Sequence, residues 1–377
     1  MSFWKRRPII DAHLDIAWNA LSFDRDQLLE LDEIRAREAG MTGSARGNCT
    51  VSLPEMRRAN VRVCLATVLC RSMPEDLPDL EFGVEQVGGR GHGEIILRED
   101  LDFANQTIAC ATGQGQMAYY KLLEERGHLR MIRSSEDLDA LWADPEAPLG
   151  VILSMEGCDP IVDPSQAAWW YEQGLRTACL AHYGPSAYAM GTGGDGPLTP
   201  KGRELLAEFE RLGLILDLVH TADTALEQAL ELYRGPVFVS HGNCRTLVDH
   251  DRQLSTDQIQ AIARRGGVIG VVLDEWMLVP GYRRGESDRK RATLEDVADH
   301  IEFICAASGG MDHVGIGSDL DGGFGTEQSP EDVNSIADLQ RLNRILWARG
   351  YRESSIDRIF YGNWLRFFRE SLRPASS

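Results

Sequence analysis

The sequence predicts an α/β protein of the (β/α)8 TIM-barrel class, on three observations. Eight short apolar runs recur along the 377 residues, and longer amphipathic stretches separate them. The runs are rich in Val, Ile and Leu, most are too short for a typical helix, and Gly or Pro bounds them. Such runs read as parallel strands buried on both faces. An open doubly wound sheet is the other arrangement with this alternation, but no GxGxxG follows the first strand.

In order, the predicted strands are PIIDAH (8–13), VRVCLATVLC (61–70), GVILSMEG (150–157), LRTACLAHY (175–183), LGLILDLVH (212–220), GPVFVSH (235–241), GVIGVVLD (267–274) and HVGIGSDLDG (313–322). Helices fill the gaps. TPKGRELLAEFERLG opens on a Thr199 cap with Pro200 at its first turn and closes on Gly213. STDQIQAIARRGG starts at Ser255 or Thr256 and ends at Gly266. Two inserts interrupt the regular alternation. Residues 19–60, after strand one, carry a charged helix candidate over 24–40. Residues 71–148, after strand two, carry a polar loop, EQVGGRGHGE, and then helical stretches. No internal repeat is present, so the expectation is one domain over 1–377, with 372–377 a frayed tail.

The hydrophobic share of 43% supplies a large core. The formal charge of −19 argues against a nucleic-acid or anionic-membrane partner. The eight cysteines are scattered, with no CxxC pair, and several sit in apolar runs. They read as reduced, buried thiols. With no signal-peptide or membrane-span pattern, the expected location is cytoplasmic.

Reactive side chains collect where the predicted strands end. Strand one gives Asp11, His13 and Asp15 at alternate positions, so that His13 and Asp15 share a face. Strand three gives Glu156, strand four His182, strand five His220, strand six His241, and strand eight Asp319 and Asp321. Barrels of this class work at that rim. Of nine histidines four lie there, whereas His92, His128, His250, His300 and His313 fall in loops or helical stretches. Any one rim residue could be a hydrogen-bonded structural group, and Asp321 could simply form a turn. Together they suit a divalent transition metal, zinc above all, with Mn or Co also accepted by such ligands. They outnumber the ligands of one tetrahedral ion. A pair of ions sharing a carboxylate uses them better. None of the four lysines, Lys5, Lys121, Lys201 and Lys290, lies in a predicted strand, so a glutamate bridge is favoured over a carbamylated lysine.

The motifs DAHLD, SMEG, LAHYGPSAYAMG, DLVH, VSHGNCR and IGSDLDGG, in this order, resemble those of the membrane (renal) dipeptidases, binuclear zinc peptidases of the amidohydrolase superfamily. The resemblance runs from about residue 8 to the closing motif YGNWLRFF. It implies two Zn2+ ions, with His13 and Asp15 on the first, Glu156 bridging, and His220 and His241 on the second. It further implies that His182 contacts the substrate near the scissile carbonyl, that Arg252 takes the substrate's terminal carboxylate, and that Asp319 moves the proton. The implied reaction is hydrolysis of small dipeptides, L-Xaa-D-Xaa among them, by a metal-bridging hydroxide. A homodimer is also implied. The sequence departs from the family's animal members in showing no secretion-signal, lipid-anchor or disulfide pattern, and DEWMLVPGYRRGESDRK, after strand seven, lacks the family's aromatic-Asn step and is expected to form part of the pocket lid, as is the 71–148 insert. The competing reading is another amidohydrolase-type reaction on the same metals, such as N-acyl amino acid hydrolysis, lactone opening or deamination. A barrel that only binds is disfavoured, because every rim ligand is present.

Overall fold

The computed structural model describes residues 6–43, 45–72, 101–282 and 292–375. Its main sheet is a ring of eight parallel strands. They are β1 (Ile9–Leu14), β2 (Val61–Leu69), β6 (Leu149–Glu156), β7 (Leu175–Cys179), β8 (Ile215–Asp217), β9 (Val237–Phe238), β10 (Ile269–Val271) and β11 (Val314–Ile316). β11 pairs back onto β1 at Asp11↔Ile316. The ring closes between β9 and β10 through the parallel bridge Val239↔Ile269, with Gly270 N donating to Val239 O at 2.9 Å. The barrel predicted from the alternation of runs is therefore the observed fold. Closure leaves no free strand edge, which is the reason such a ring tolerates short staves.

Among the described residues, three short strands lie outside the ring. β3 (Arg71–Ser72) pairs with β4 (Asp102–Phe103), and β5 (Leu129–Met131) pairs with β6 at Leu129↔Leu149. The sequence reading had only loop and helix in this insert. β5 is three residues long, too short for periodicity to register. The loop EQVGGRGHGE and His92 lie outside the described residues.

The helices follow their capping signals. Thr199 accepts from Gly202 N at the start of Pro200–Leu212, and Gly213 ends that helix at φ +77°. Ser255 and Gln258 form a reciprocal capping box at the start of Thr256–Arg264. The helix expected over 24–40 is shorter and spans only Leu31–Arg37. Arg25 is the physical reason. It is 3% exposed, its Nε donates to Glu38 Oε1 at 2.8 Å and its Nη1 donates to Asn19 at 2.5 Å. A helix continuing back through 24–30 would not leave this arginine free to fold inward onto its partners.

The last helix, Asn363–Ser371, locks the barrel from below the rim. Trp364, Phe367 and Phe368 surround Phe238 of β9 at ring-centroid distances of 5.6–6.0 Å. Trp364 Nε1 donates to Ile316 O at 2.9 Å. In the stretch expected to fray, Leu372 is buried and Arg373 Nη2 donates to Arg211 O at 2.9 Å.

Candidate metal centre

His13 sits near the end of β1 and Asp15 just beyond it, at the start of the helix Ile16–Phe23. Both are buried. The hydroxyl of Thr67, on the neighbouring β2, donates to Asp15 Oδ1 and holds that carboxylate in place. Glu156 is the last residue of β6. Its Oε2 lies 3.5 Å from His13 Nε2, and its Oε1 lies 3.3 Å from His220 Nε2 and 3.5 Å from His241 Nε2. His13 Nε2 is also 3.7 Å from Asp15 Oδ1 and 3.6 Å from Asp319 Oδ1. Two sets of potential ligands thus share Glu156: His13 with Asp15, and His220 with His241. A third set joins His13, His241 and Asp319.

Two histidines on this rim are oriented by hydroxyls. Ser240 Oγ lies 3.0 Å from His241 Nδ1 and is itself hydrogen-bonded to the Asp217 carboxylate. The serine proton goes to the carboxylate, so its oxygen accepts from Nδ1–H and leaves Nε2 with a bare lone pair. Thr192 Oγ1 lies 3.0 Å from His220 Nδ1 and donates to His220 O, which sets the same tautomer. His220 and Asp319 both have left-handed backbones, at φ +57° and +58°. Such conformations cost energy for residues with side chains and cluster at functional sites. Gly322 makes room for Asp319: a Cβ there would stand 1.9 Å from Asp319 Oδ1.

The electrostatics are those of a site short of positive charge. Burial opposes a proton on His13, but Glu156, Asp15 and Asp319 outweigh it and raise the imidazole to about 10. Burial lifts Glu156 to about 8 and Asp319 well above the usual carboxylate range. Burial, with nearby Arg252 and neighbouring imidazoles, pushes His220 and His241 well below theirs. Among the described residues, His13 Nε2 is buried without a hydrogen-bond partner. An orphaned imidazole nitrogen, crowded carboxylates and two imidazoles held neutral are what a divalent cation satisfies. The donor set fits a metal.

A cavity of about 100 Å3 opens over these groups. Arg252, Arg71, His182, Asp274, Trp276 and Phe324 are among its walls. Arg252 is only 6% exposed, and its Nη2 donates to His241 O at 3.0 Å, which aims the guanidinium at the centre. It is not a surface arginine. His182 Nε2 lies 3.8 Å from Glu156 Oε1. Asp321, by contrast, faces away: it accepts from Thr50 N and Oγ1 at 2.7 Å and from Val51 N at 3.1 Å, knitting the first insert to the last strand. Lys121 and Lys201 bond elsewhere, to Gln173 and to Gln106. The segment expected to form part of a lid supplies the short helix Glu275–Leu278, whose Trp276 forms a cavity wall; its residues 283–290 lie outside the described residues.

Sequence reasoning missed Arg71 and Asp274, the rim residues of strands two and seven. Their position at or directly after the end of a predicted strand was the available signal. It also missed Thr67, Thr192, Ser240 and Asp217. These carry no chemical signature and are recognisable only by what they touch.

The signature of the family described as Membrane dipeptidase (Peptidase family M19) matches residues 2–375. An uncharacterised dipeptidase of Schizosaccharomyces pombe is 30% identical over 252 residues, covering 64% of this chain and 58% of the yeast protein. Dipeptidase tcpJ of Claviceps purpurea is 28% identical over 215 residues, covering 55% and 47%. The chain thus spans about half the length of the curated relatives it matches. Among solved structures, a metallopeptidase of Rhodobacter sphaeroides, liganded with a phosphinate mimic of the dipeptide L-Ala-D-Ala, superposes with a TM-score of 0.76 at 20% identity. That match covers 98% of this chain and 100% of the other. Among the described residues no helix is long and apolar enough to cross a membrane.

Proposed function

The chain belongs to the membrane dipeptidase family, Peptidase family M19, and from that premise we propose that it is a metal-dependent dipeptidase acting at the rim centre. One observation carries the reading. Glu156 stands between two sets of nitrogen and oxygen donors, and Arg252 faces the same small cavity. His13 and Asp15 would hold one ion, His220 and His241 a second, with Glu156 shared. Zinc is the metal this donor set suits first, Mn or Co next. When bound, the ions would supply a water activated for attack at neutral pH and Lewis-acid polarisation of the scissile carbonyl.

The chain's own residues do the rest. Arg252 grips the terminal carboxylate with a charged fork that no pH change removes. A fixed carboxylate anchor close to the ions would admit a dipeptide and disfavour a longer chain. His182 donates from Nε2 to the carbonyl oxygen as it gains charge. Asp319 takes up the proton released as water adds to the carbonyl and delivers it to the departing amine. The L-Ala-D-Ala mimic bound by the Rhodobacter protein supports including L-Xaa-D-Xaa dipeptides among the substrates.

The test is to count metal by elemental analysis and, in the same preparation, to assay L-Xaa-L-Xaa and L-Xaa-D-Xaa dipeptides alongside N-acyl amino acids. Two ions per chain with dipeptide turnover is the expected result. Two ions with turnover of N-acyl amino acids alone would replace the substrate. A chain that takes up no metal would end the reading.

A further inference from the structure

We propose that Arg71 is a positioning residue that fixes His182 in the tautomer carrying its proton on Nε2. Arg71 is firmly held. It opens β3, pairs in register with Asp102, and its backbone N donates to Leu101 O at 2.8 Å. Its side chain meets the Asp102 carboxylate with two parallel bonds, Nε to Oδ1 at 2.6 Å and Nη2 to Oδ2 at 2.5 Å. This fork fixes the guanidinium plane. The next residue is anchored too: Ser72 N donates to Asp159 Oδ2 at 2.9 Å, and Asp159 Oδ1 accepts from Ser186 Oγ at 2.6 Å. The remaining nitrogen, Nη1, lies 3.4 Å from His182 Nδ1.

An arginine has only donors and keeps its proton. His182 Nδ1 must therefore accept, since the other tautomer would set N–H against N–H. A neutral His182 then carries its proton on Nε2, the atom that faces Glu156 and the cavity. The neighbouring rim histidines make the contrast. His220 and His241 have hydroxyl oxygens at Nδ1, which leave Nε2 bare and able to ligate. His182 has a donor there, which makes its Nε2 a hydrogen-bond donor and not a ligand. The partner at Nδ1 thus sorts three similar imidazoles into two roles.

The kinetic part of this inference rests on the dipeptidase reading; the spectroscopic part does not. The experiment is 15N-histidine NMR at pH 8 on the zinc-loaded and the metal-free protein, with His182 assigned from its absence in His182→Gln. The expected wild-type signature is a protonated Nε2 and an unprotonated Nδ1 at His182 in both forms. In Arg71→Met that signature shifts toward the other tautomer. For L-Ala-L-Ala or L-Ala-D-Ala, kcat of this variant falls tenfold or more while KM stays within about twofold. Arg71→Lys, which retains a cationic donor, recovers part of kcat. A wild-type His182 protonated on Nδ1 would overturn the proposal. So would an unchanged tautomer in Arg71→Met, or a loss confined to KM, which would make Arg71 a substrate-binding group instead. If Arg71→Met does not fold, the wild-type spectrum and Asp102→Asn decide: the account requires the tautomer to loosen when the carboxylate that holds Arg71 is neutralised. Absence of dipeptide turnover in the wild type would defeat the dipeptidase reading alone.

Discussion

Glu156, Arg252 and His300 show how much one buried side chain decides. Glu156 would be costly at the end of a core strand without partners, and the structure gives it three imidazole nitrogens within 3.5 Å. Arg252 is aimed by a single bond to the His241 carbonyl, leaving most of its donors for a ligand. Arg252→Ala should raise KM for dipeptides tenfold or more, the effect of losing roughly 1.5–3 kcal/mol. An unchanged KM in steady-state assays would contradict its role. His300 is a buried, hydrogen-bonded group away from the rim. Its Nδ1 accepts from Cys244 N at 3.2 Å, its Nε2 lies 3.2 Å from Leu278 O, and burial lowers its pKa from 6.5 to about 4. Because the folded pKa is depressed, the unfolded chain binds the extra proton first. Stability is therefore complete above about pH 6.5 and is lost as pH falls toward 4, by about 3 kcal/mol. Denaturant titrations across that window should show a shallower loss in His300→Gln; equal slopes would refute the assignment.

At the scale of elements, the rim histidines and carboxylates were legible because each stands at or within three residues of its strand's end. A local pattern, apolar run and then polar residue, carries both the strand and its cargo. The groups that orient them were not legible. Thr67 reaches Asp15 across 52 residues and Thr192 reaches His220 across 28, and neither hydroxyl differs in sequence from any other. The misjudged helix over 24–40 has the same origin: Arg25 reads as a solvated charge until Glu38 and Asn19 are seen around it. The helix Pro200–Leu212 was legible from its cap, and that cap does a second job. Thr199 Oγ1 accepts from Gly202 N at 2.9 Å and donates to Ala187 O at 2.7 Å, tying the helix to the loop that follows His182. Thr199→Ala should cost about 1–2 kcal/mol of stability in denaturant unfolding. A variant as stable as the parent would show that neither bond matters.

At the scale of the whole molecule, the barrel is what lets residues 300 positions apart share one site. His13 and Asp319 meet because β11 closes onto β1. The order of the ring was readable from alternation alone, since parallel staves buried on both faces leave few other solutions. The chain's −19 charge bears on metal work: it gathers loosely held cations, so ion counts belong at moderate salt, where such surface binding is screened. The central claim is that Glu156 is shared by two ions. Anomalous diffraction from a crystal of the zinc-loaded protein tests it most directly. Two peaks should flank the Glu156 carboxylate, one beside His13 and Asp15 and one beside His220 and His241, with both weakened in Glu156→Gln. A single peak, or peaks away from Glu156, would contradict it.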